Sequence, residues 1–225
     1  MEGLLNSHPK TLVPIPGVAK SWSISENLLE ITFNLRDNAY WSNGDRVTSH
    51  DFIYSYERML TPELGAQYSY MLYVIKNAKE YNMGKIKDFT QVGLKAPNDT
   101  TLIINLESPT PYILELINHG SWLPIHPGTI KKFNAKTNRG THWTKPKYYV
   151  SNGAFILDEW RVNARIVLKK NPNYWDSDNV QLNEVRFYPI ESADSEERAF
   201  RAGYIHDTQT VPLHRIDYYK NQQNG

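Results

Sequence analysis

The chain has 225 residues, of which 22% are charged and 12% aromatic, and it contains no cysteine. Its formal net charge of +1 at pH 7 gives no indication of a nucleic-acid surface or of an acidic membrane partner. The missing cysteines exclude disulfide bonds and thiolate metal sites. No apolar run approaches the roughly 20 residues of a membrane-spanning helix. The length of 225 residues indicates one large domain or two small ones, and the composition is that of a folded chain.

Strand patterns dominate the first third of the chain. Short extended pieces broken by prolines lie between Leu4 and Pro16, and Asn43-Gly44 is typical of a tight turn. Apolar and polar residues alternate along 29–36 and again along 102–106, as in strands with one face in water. Asn98-Asp99 supplies a turn before the second of these strands, and we expect the two strands to pair.

Two helices are predicted in the first half. The pattern of Thr48 and Asp51 is a capping box, and the helix that it starts ends before Pro62. Its inner face has helical spacing and consists of Phe52, Tyr56, Met59 and Leu60. A second helix is expected from Ser108-Pro109, with proline in the first turn, to Gly120 in a left-handed cap.

The composition shifts to Pro, Lys, Asn, Thr and Gly between Trp122 and Tyr149. This shift predicts a crossover between two subdomains, with a small helix near 130–133. Two short apolar runs follow within Ser151–Asp176 and predict paired strands. We expect the chain to enter them through a sharp turn, because Asn152-Gly153 tolerates positive φ.

The last predicted elements are a strand at 185–188 and a helix near 194–202. Asp194 is expected to cap this helix, and Gly203 to close it. The seven histidines lack the HxxxH and HxH spacings of metal sites, so surface positions are expected for them. No GxSxG, GxGxxG or phosphate-binding glycine loop occurs, and no residue is predicted to be catalytic.

Several short motifs along the chain occur in one consistent order. They are Pro16-Gly17-Val18-Ala19, Phe33-Asn34-Leu35-Arg36, Trp41-Ser42-Asn43-Gly44-Asp45, Asn152-Gly153-Ala154, Asn171-Pro172-Asn173-Tyr174-Trp175 and Arg201-Ala202-Gly203. In these motifs the chain resembles the bacterial extracellular solute-binding proteins of family 5, which include the oligopeptide- and dipeptide-binding proteins of ABC importers. The resemblance extends from Glu2 to about Pro212.

The resemblance implies a mixed α/β (α+β) fold of the periplasmic binding protein-like II type, of which this chain is the N-terminal lobe only. Residues 1–126 are expected to form the smaller inserted subdomain of that lobe, and residues 127–225 part of its larger subdomain. The C-terminal lobe, the secretion signal and the first strand region are expected to be absent from the chain.

The resemblance also indicates where a ligand binds. Tyr68 matches a tyrosine that faces the ligand cleft in peptide-binding relatives, and Tyr70 is close by. The polar residues Thr208, Gln209 and Thr210 follow Gly203, near the cleft and hinge of the family, and are expected to hydrogen-bond the ligand. The family usually has Gly-x-Ile-Asp at this point, whereas this chain has His206, so the role of that aspartate is either missing here or passed to Asp207.

The implied function is the substrate-binding component of a peptide ABC importer, which holds short peptides by their backbone between two lobes. The implied partners are an oligopeptide and a membrane permease. The protein is expected to be a monomer without a metal, cofactor or nucleic acid, in the periplasm or at the extracellular side of the membrane. The open alternatives are a binding protein for a nickel complex, haem, sugar or opine, and the sensor domain of a regulator.

Overall fold

The computed structural model describes residues 1–222. The chain forms two compact units. Unit 1 consists of residues 1–160 and 167–185, and unit 2 consists of residues 161–166 and 186 onward. No helix within residues 1–222 is both long enough and apolar enough to cross a membrane.

Six strands lie in the first half of unit 1: β1 (Leu5–Ser7), β2 (Pro14–Pro16), β3 (Ala19–Ile24), β4 (Glu30–Leu35), β5 (Leu94–Asn98) and β6 (Thr101–Asn105). β1 pairs with β2, and the other four form an antiparallel sheet in the order β3-β4-β6-β5. Phe33 of β4 lies opposite Leu102 of β6, and Ile31 lies opposite Ile104. The predicted pairing of these two strands is confirmed.

Unit 1 contains four α-helices: α1 (Ser49–Leu60), α2 (Ala78–Asn82), α3 (Ile113–Ile117) and α4 (Pro127–Lys132). Short 3-10 helices lie at Pro62–Leu64, Ser69–Leu72, Phe89–Gln91, Gly120–Trp122, His142–Thr144 and Ser177–Asn179. The predicted start of α1 is confirmed, because the Thr48 amide donates to Asp51 Oδ2 at 2.9 Å. Burial raises the pKa of Asp51, while this bond and one from the Trp41 indole lower it.

The predicted start of the second helix is wrong. α3 begins at Ile113 rather than at Ser108-Pro109. Pro111 disfavours a helical conformation at the residue before it, so a helix that begins at Pro109 cannot continue through Thr110. Gly120 does not have positive φ and instead begins the 3-10 helix Gly120–Trp122.

The main hydrophobic core lies between the four-stranded sheet and the inner face of α1. Fully buried side chains come from both layers: Ile31, Phe33, Leu102 and Ile104 from the sheet, and Phe52, Tyr56 and Leu60 from α1. Each large apolar side chain contributes roughly 1.5–3 kcal/mol by leaving water. This core supports the loops between the helices, including the segment that carries Tyr68.

A second sheet consists of β7 (Phe155–Arg161), β8 (Arg165–Lys170) and β9 (Glu184–Phe187), in the order β7-β8-β9. The predicted pairing of the first two strands is confirmed. The expectation that Gly153 allows a turn with positive φ is wrong, because this glycine does not have positive φ. A Cβ atom at Gly153 would lie 3.2 Å from the backbone of Met1, so close packing is what requires glycine here.

Unit 2 contains α5 (Ala193–Arg201), a 3-10 helix at Leu213–Arg215, and α6 (Ile216–Gln222). The capping residue of α5 is Ser192, whose side chain accepts the Ser195 amide, so the predicted cap at Asp194 is wrong. Asp194 lies two residues after the cap, in the first turn, where its negative charge interacts favourably with the positive end of the helix. Gly203 has a φ of 74°, which confirms it as the left-handed residue after this helix.

Candidate functional site

Three aromatic side chains form a surface patch on unit 1, which we call the Tyr68 patch. It consists of Tyr68, Tyr70 and His119. The ring centroid of Tyr68 lies 6.0 Å from that of Tyr70 and 5.4 Å from that of His119. Tyr68 and Tyr70 are 48% and 52% exposed, which is high for such large rings. The patch therefore presents apolar ring faces and polar tips together to solvent.

The segment that carries the two tyrosines is held from behind by one asparagine. Asn82 Oδ1 accepts the Tyr73 hydroxyl at 2.6 Å and the Ser69 hydroxyl at 3.1 Å. Its Nδ2 donates to the Leu60 carbonyl at 2.7 Å, at the end of α1. These bonds fix the 3-10 helix Ser69–Leu72 against the core helix. Tyr73 thus has a packing role, and Tyr68 and Tyr70 are left facing solvent.

The third member of the patch, His119, has a fixed ring. Its Nδ1 accepts the Ser121 amide at 3.2 Å and lies 2.9 Å from the Ser121 hydroxyl. In the neutral imidazole the proton is then on Nε2, which makes no hydrogen bond with any residue that the structure describes. The ring therefore presents one N–H donor beside the Tyr68 ring. Trp122, next to this turn, is fully buried, and its ring centroid lies 5.3 Å from that of Tyr56.

The sequence did not predict that His119 lies beside Tyr68 and assigned it to the general surface. Tyr68 and His119 are 51 positions apart, and no local pattern predicts that their rings meet. The one local signal is His119 two residues before Ser121, a spacing at which a side chain can accept a turn amide.

The other predicted ligand residues lie in unit 2. Gln209 and Thr210 are exposed and Thr208 is half-buried. The Gln209 backbone amide already donates to Glu196 Oε1 at 3.0 Å, so its side-chain amide is the group that can meet a ligand. The structure thus brings Tyr68 and Tyr70 together, and it places the three polar residues in the other unit.

A second polar cluster surrounds Glu2 in unit 1. Glu2 is 6% exposed, and its Oε1 accepts the Tyr174 hydroxyl at 2.6 Å and Asn6 Nδ2 at 2.8 Å. Its Oε2 accepts the Trp175 indole N–H at 2.6 Å. The Arg36 guanidinium carbon lies 3.6 Å from the centroid of the Trp175 ring. Burial raises the pKa of Tyr174, and the bond to Glu2 raises it further.

This cluster borders a cavity of about 350 Å³, lined by Met1, Glu2, Asn6, Gly153, Ala154, Phe155, Leu168 and Tyr174. Both oxygens of the Glu2 carboxylate already accept hydrogen bonds from the protein. The Glu2 carboxylate is therefore already bound by protein donors, and the cluster links Glu2 to Tyr174 and Trp175. No group of three or more potential metal ligands occurs in residues 1–222.

A family model supplies the comparison that decides the classification. Residues 13–225 match the model described as "Bacterial extracellular solute-binding proteins, family 5 Middle". The chain belongs to this family. The resemblance deduced from the motifs is confirmed.

Named relatives in family 5 agree with this assignment. The periplasmic oligopeptide-binding protein OppA of Salmonella typhimurium is 40% identical over 98% of this chain, and the dipeptide-binding protein DppE of Bacillus subtilis is 34% identical over 100% of it. In each case the match spans 40% of the relative. The chain thus spans about two-fifths of the length of these curated family 5 proteins.

Solved structures of family 5 proteins confirm the fold class. The OppA structure of Burkholderia pseudomallei superposes with a TM-score of 0.90 at 32% identity, covering 98% of this chain and 42% of that one. The Haemophilus influenzae OppA complex with the peptide RPPGFSPFR gives a TM-score of 0.90 at 32% identity, covering 100% and 43%. The mixed α/β fold expected for the family is therefore correct.

Proposed function

We propose that this chain is part of the peptide-binding component of an ABC importer and forms one wall of a cleft that holds short peptides by their main chain. The observation that carries the proposal is the 40% identity, over 98% of the chain, to a protein named for oligopeptide binding. The Tyr68 patch supports it, because exposed aromatic rings held on a fixed backbone are suited to ligand contact.

The chemistry of the patch suits a peptide of variable sequence. Tyrosine hydroxyls donate and accept, and the His119 Nε2–H donates, so together they can satisfy the amide and carbonyl groups that every peptide has. The ring faces pack against side chains without requiring one particular residue. The side chains of Thr208, Gln209 and Thr210 are proposed as further partners for the ligand main chain.

The remaining parts of the proposal concern the whole protein. We infer a location in the periplasm or at the extracellular side of the membrane, a membrane permease as partner, a monomeric state and no catalytic role. The subdomain boundary between residues 126 and 127 also stays a proposal. In this mechanism a second lobe closes over the peptide, so the chain alone has only part of the binding surface.

Calorimetry and NMR on the 225-residue chain test the proposal. Mixed tri- to pentapeptides are expected to bind more weakly than micromolar, and sub-micromolar affinity would contradict a cleft built from two lobes. At high peptide concentration the chemical-shift changes should centre on the Tyr68 patch, and Tyr68→Ala should reduce them. The matched control is Tyr112→Ala, since Tyr112 is 61% exposed and is not part of the patch.

A second titration with deoxycholate compares another class of solute, because a relative 32% identical over 89% of this chain is named a probable deoxycholate-binding protein. Preferential response of the patch to deoxycholate, with none to peptides, would refute the proposed peptide specificity.

A further inference from the structure

The positive charge of the chain is strongly segregated. Residues 116–157 contain six Lys and Arg and not one Asp or Glu. The other 183 residues carry 19 Lys and Arg against 24 Asp and Glu. The overall net charge of +1 therefore conceals a basic stretch of 42 residues within an otherwise acidic chain.

Five of these six cations are exposed. Four of the five form what we call the basic face: Lys131, Lys132, Lys145 and Lys147. Within the part of the chain that the structure describes, none of the four forms an ion pair with a carboxylate. The other two cations are engaged. Lys136 pairs with Glu57 at 2.7 Å, and Arg139 donates to the Leu64 and Gly65 carbonyls.

Tertiary contacts bring the basic face together. The ammonium groups of Lys132 and Lys147, which are 15 positions apart, lie 5.9 and 5.7 Å from the centroid of the same Tyr148 ring. That ring packs on Phe133, with centroids 4.8 Å apart. Lys131 approaches the Tyr54 ring at 5.6 Å. Lysines therefore surround half-exposed aromatic rings on this side of unit 1.

Helix electrostatics explains only part of this arrangement. Lys131 and Lys132 lie in the last turn of α4, where cations favour the negative helix end. Lys145 and Lys147 lie outside any α-helix, and helix stability does not require 42 residues without a carboxylate. The whole face thus indicates an anionic partner.

We propose that the basic face binds the anionic phospholipid headgroups of a membrane surface. The four cations of the basic face are all lysines, whereas the exposed Arg139 is bound to backbone carbonyls. The flexible point charges of lysine suit a diffuse layer of headgroups rather than the paired geometry of protein carboxylates, for which arginine is better. The neighbouring aromatic rings are of the type that occupies the membrane interface. This inference does not depend on peptide binding.

Vesicle co-sedimentation of the 225-residue chain tests the inference, with vesicles of one part phosphatidylglycerol to two parts phosphatidylcholine. Each lysine replaced by glutamine should lower the partition coefficient about fivefold, and the fourfold variant at least about a hundredfold. Raising the salt from about 0.1 M to about 1 M should also release the protein, since the screening length falls from about 10 Å to about 3 Å.

A charge-matched control replaces the exposed lysines Lys10, Lys20, Lys85 and Lys95 by glutamine. This control should keep most of the binding, and so should the variant in which the basic face carries arginine. Lys145→Gln with Lys147→Gln leaves α4 intact and serves if the fourfold variant fails to fold.

Three outcomes would overturn the inference: equal loss in the control variant, equal binding to vesicles of phosphatidylcholine alone, and no vesicle binding together with binding to soluble polyphosphate. The last would make a soluble polyanion the partner. Peptide titrations of the same variants keep this result separate from the proposed function, because the basic face and the Tyr68 patch share no residue.

Discussion

Glu2 provides the sharpest test of how unit 1 is held together. Its carboxylate accepts hydrogen bonds from Asn6, Tyr174 and Trp175, and its backbone amide donates to Asn152 Oδ1 at 3.0 Å. The Asn152 side chain donates back to the Glu2 carbonyl at 2.8 Å. One residue at the start of the chain therefore fixes positions 150 to 173 residues away.

Glu2→Ala should lower the free energy of unfolding by about 3–4 kcal/mol. A hydrogen bond to a charged group contributes roughly 1.5–3 kcal/mol, and the substitution leaves two aromatic donors, Tyr174 and Trp175, without an acceptor. We take the lower part of the summed range because both rings are only half-buried. A loss of this size is a large fraction of the roughly 5–15 kcal/mol that stabilises a typical domain.

Glu2→Gln separates hydrogen bonding from packing. It keeps one acceptor for Tyr174 but turns an NH₂ group toward the Trp175 N–H, which should cost about 1–2 kcal/mol. Adding Trp175→Phe removes the opposed donor. The double variant should therefore be more stable, by about 1 kcal/mol, than the sum of the single losses predicts.

Urea denaturation followed by circular dichroism measures these differences. Glu26→Ala is the control, because Glu26 is exposed, and its effect should stay within about 0.5 kcal/mol. A loss below about 1 kcal/mol for Glu2→Ala, or strict additivity in the double variant, would refute the view that this carboxylate holds Tyr174 and Trp175 in place.

Three further variants test individual parts of the fold. Hydrogen bonds, first from Asn43 and then from His126, lower the pKa of Asp45 below its usual 3.8. The ionised Asp45 therefore stabilises the fold above that pH, and this stabilisation is lost as the pH falls through the lowered pKa of the folded state. Asp45→Asn should flatten the acid limb of a curve of stability against pH, and an unchanged limb would contradict this. Ser192→Ala should destabilise α5 by about 1 kcal/mol, which amide hydrogen exchange in that helix can measure, and unchanged protection would show that the cap is unimportant. Gly153→Ala places a Cβ atom 3.2 Å from the Met1 backbone and should lower the midpoint of urea denaturation by an amount equivalent to about 1–3 kcal/mol, whereas a neutral effect would mean that the chain start moves freely.

The helix errors show how far local patterns can be trusted in this chain. The start of α1 was predictable because the Thr48–Asp51 capping box is a local signal that acts within one turn. The start of α3 was not, since Pro109 is compatible with a first helical turn while Pro111 two residues later prevents it. At Gly153 the residue type was noticed, but its reason, the approach of Met1, lies 152 positions away in the sequence.

The sequence by itself determined the family, the β4–β6 pairing and the first helix, because ordered motifs, strand alternation and capping are properties of neighbouring residues. Only the tertiary structure decided that His119 joins Tyr68, that Glu2 holds Tyr174 and Trp175, and that Lys132 and Lys147 share one ring. Contacts of this kind join residues 15 to 173 positions apart. They depend on how the sheet and helices pack, which no local spacing records.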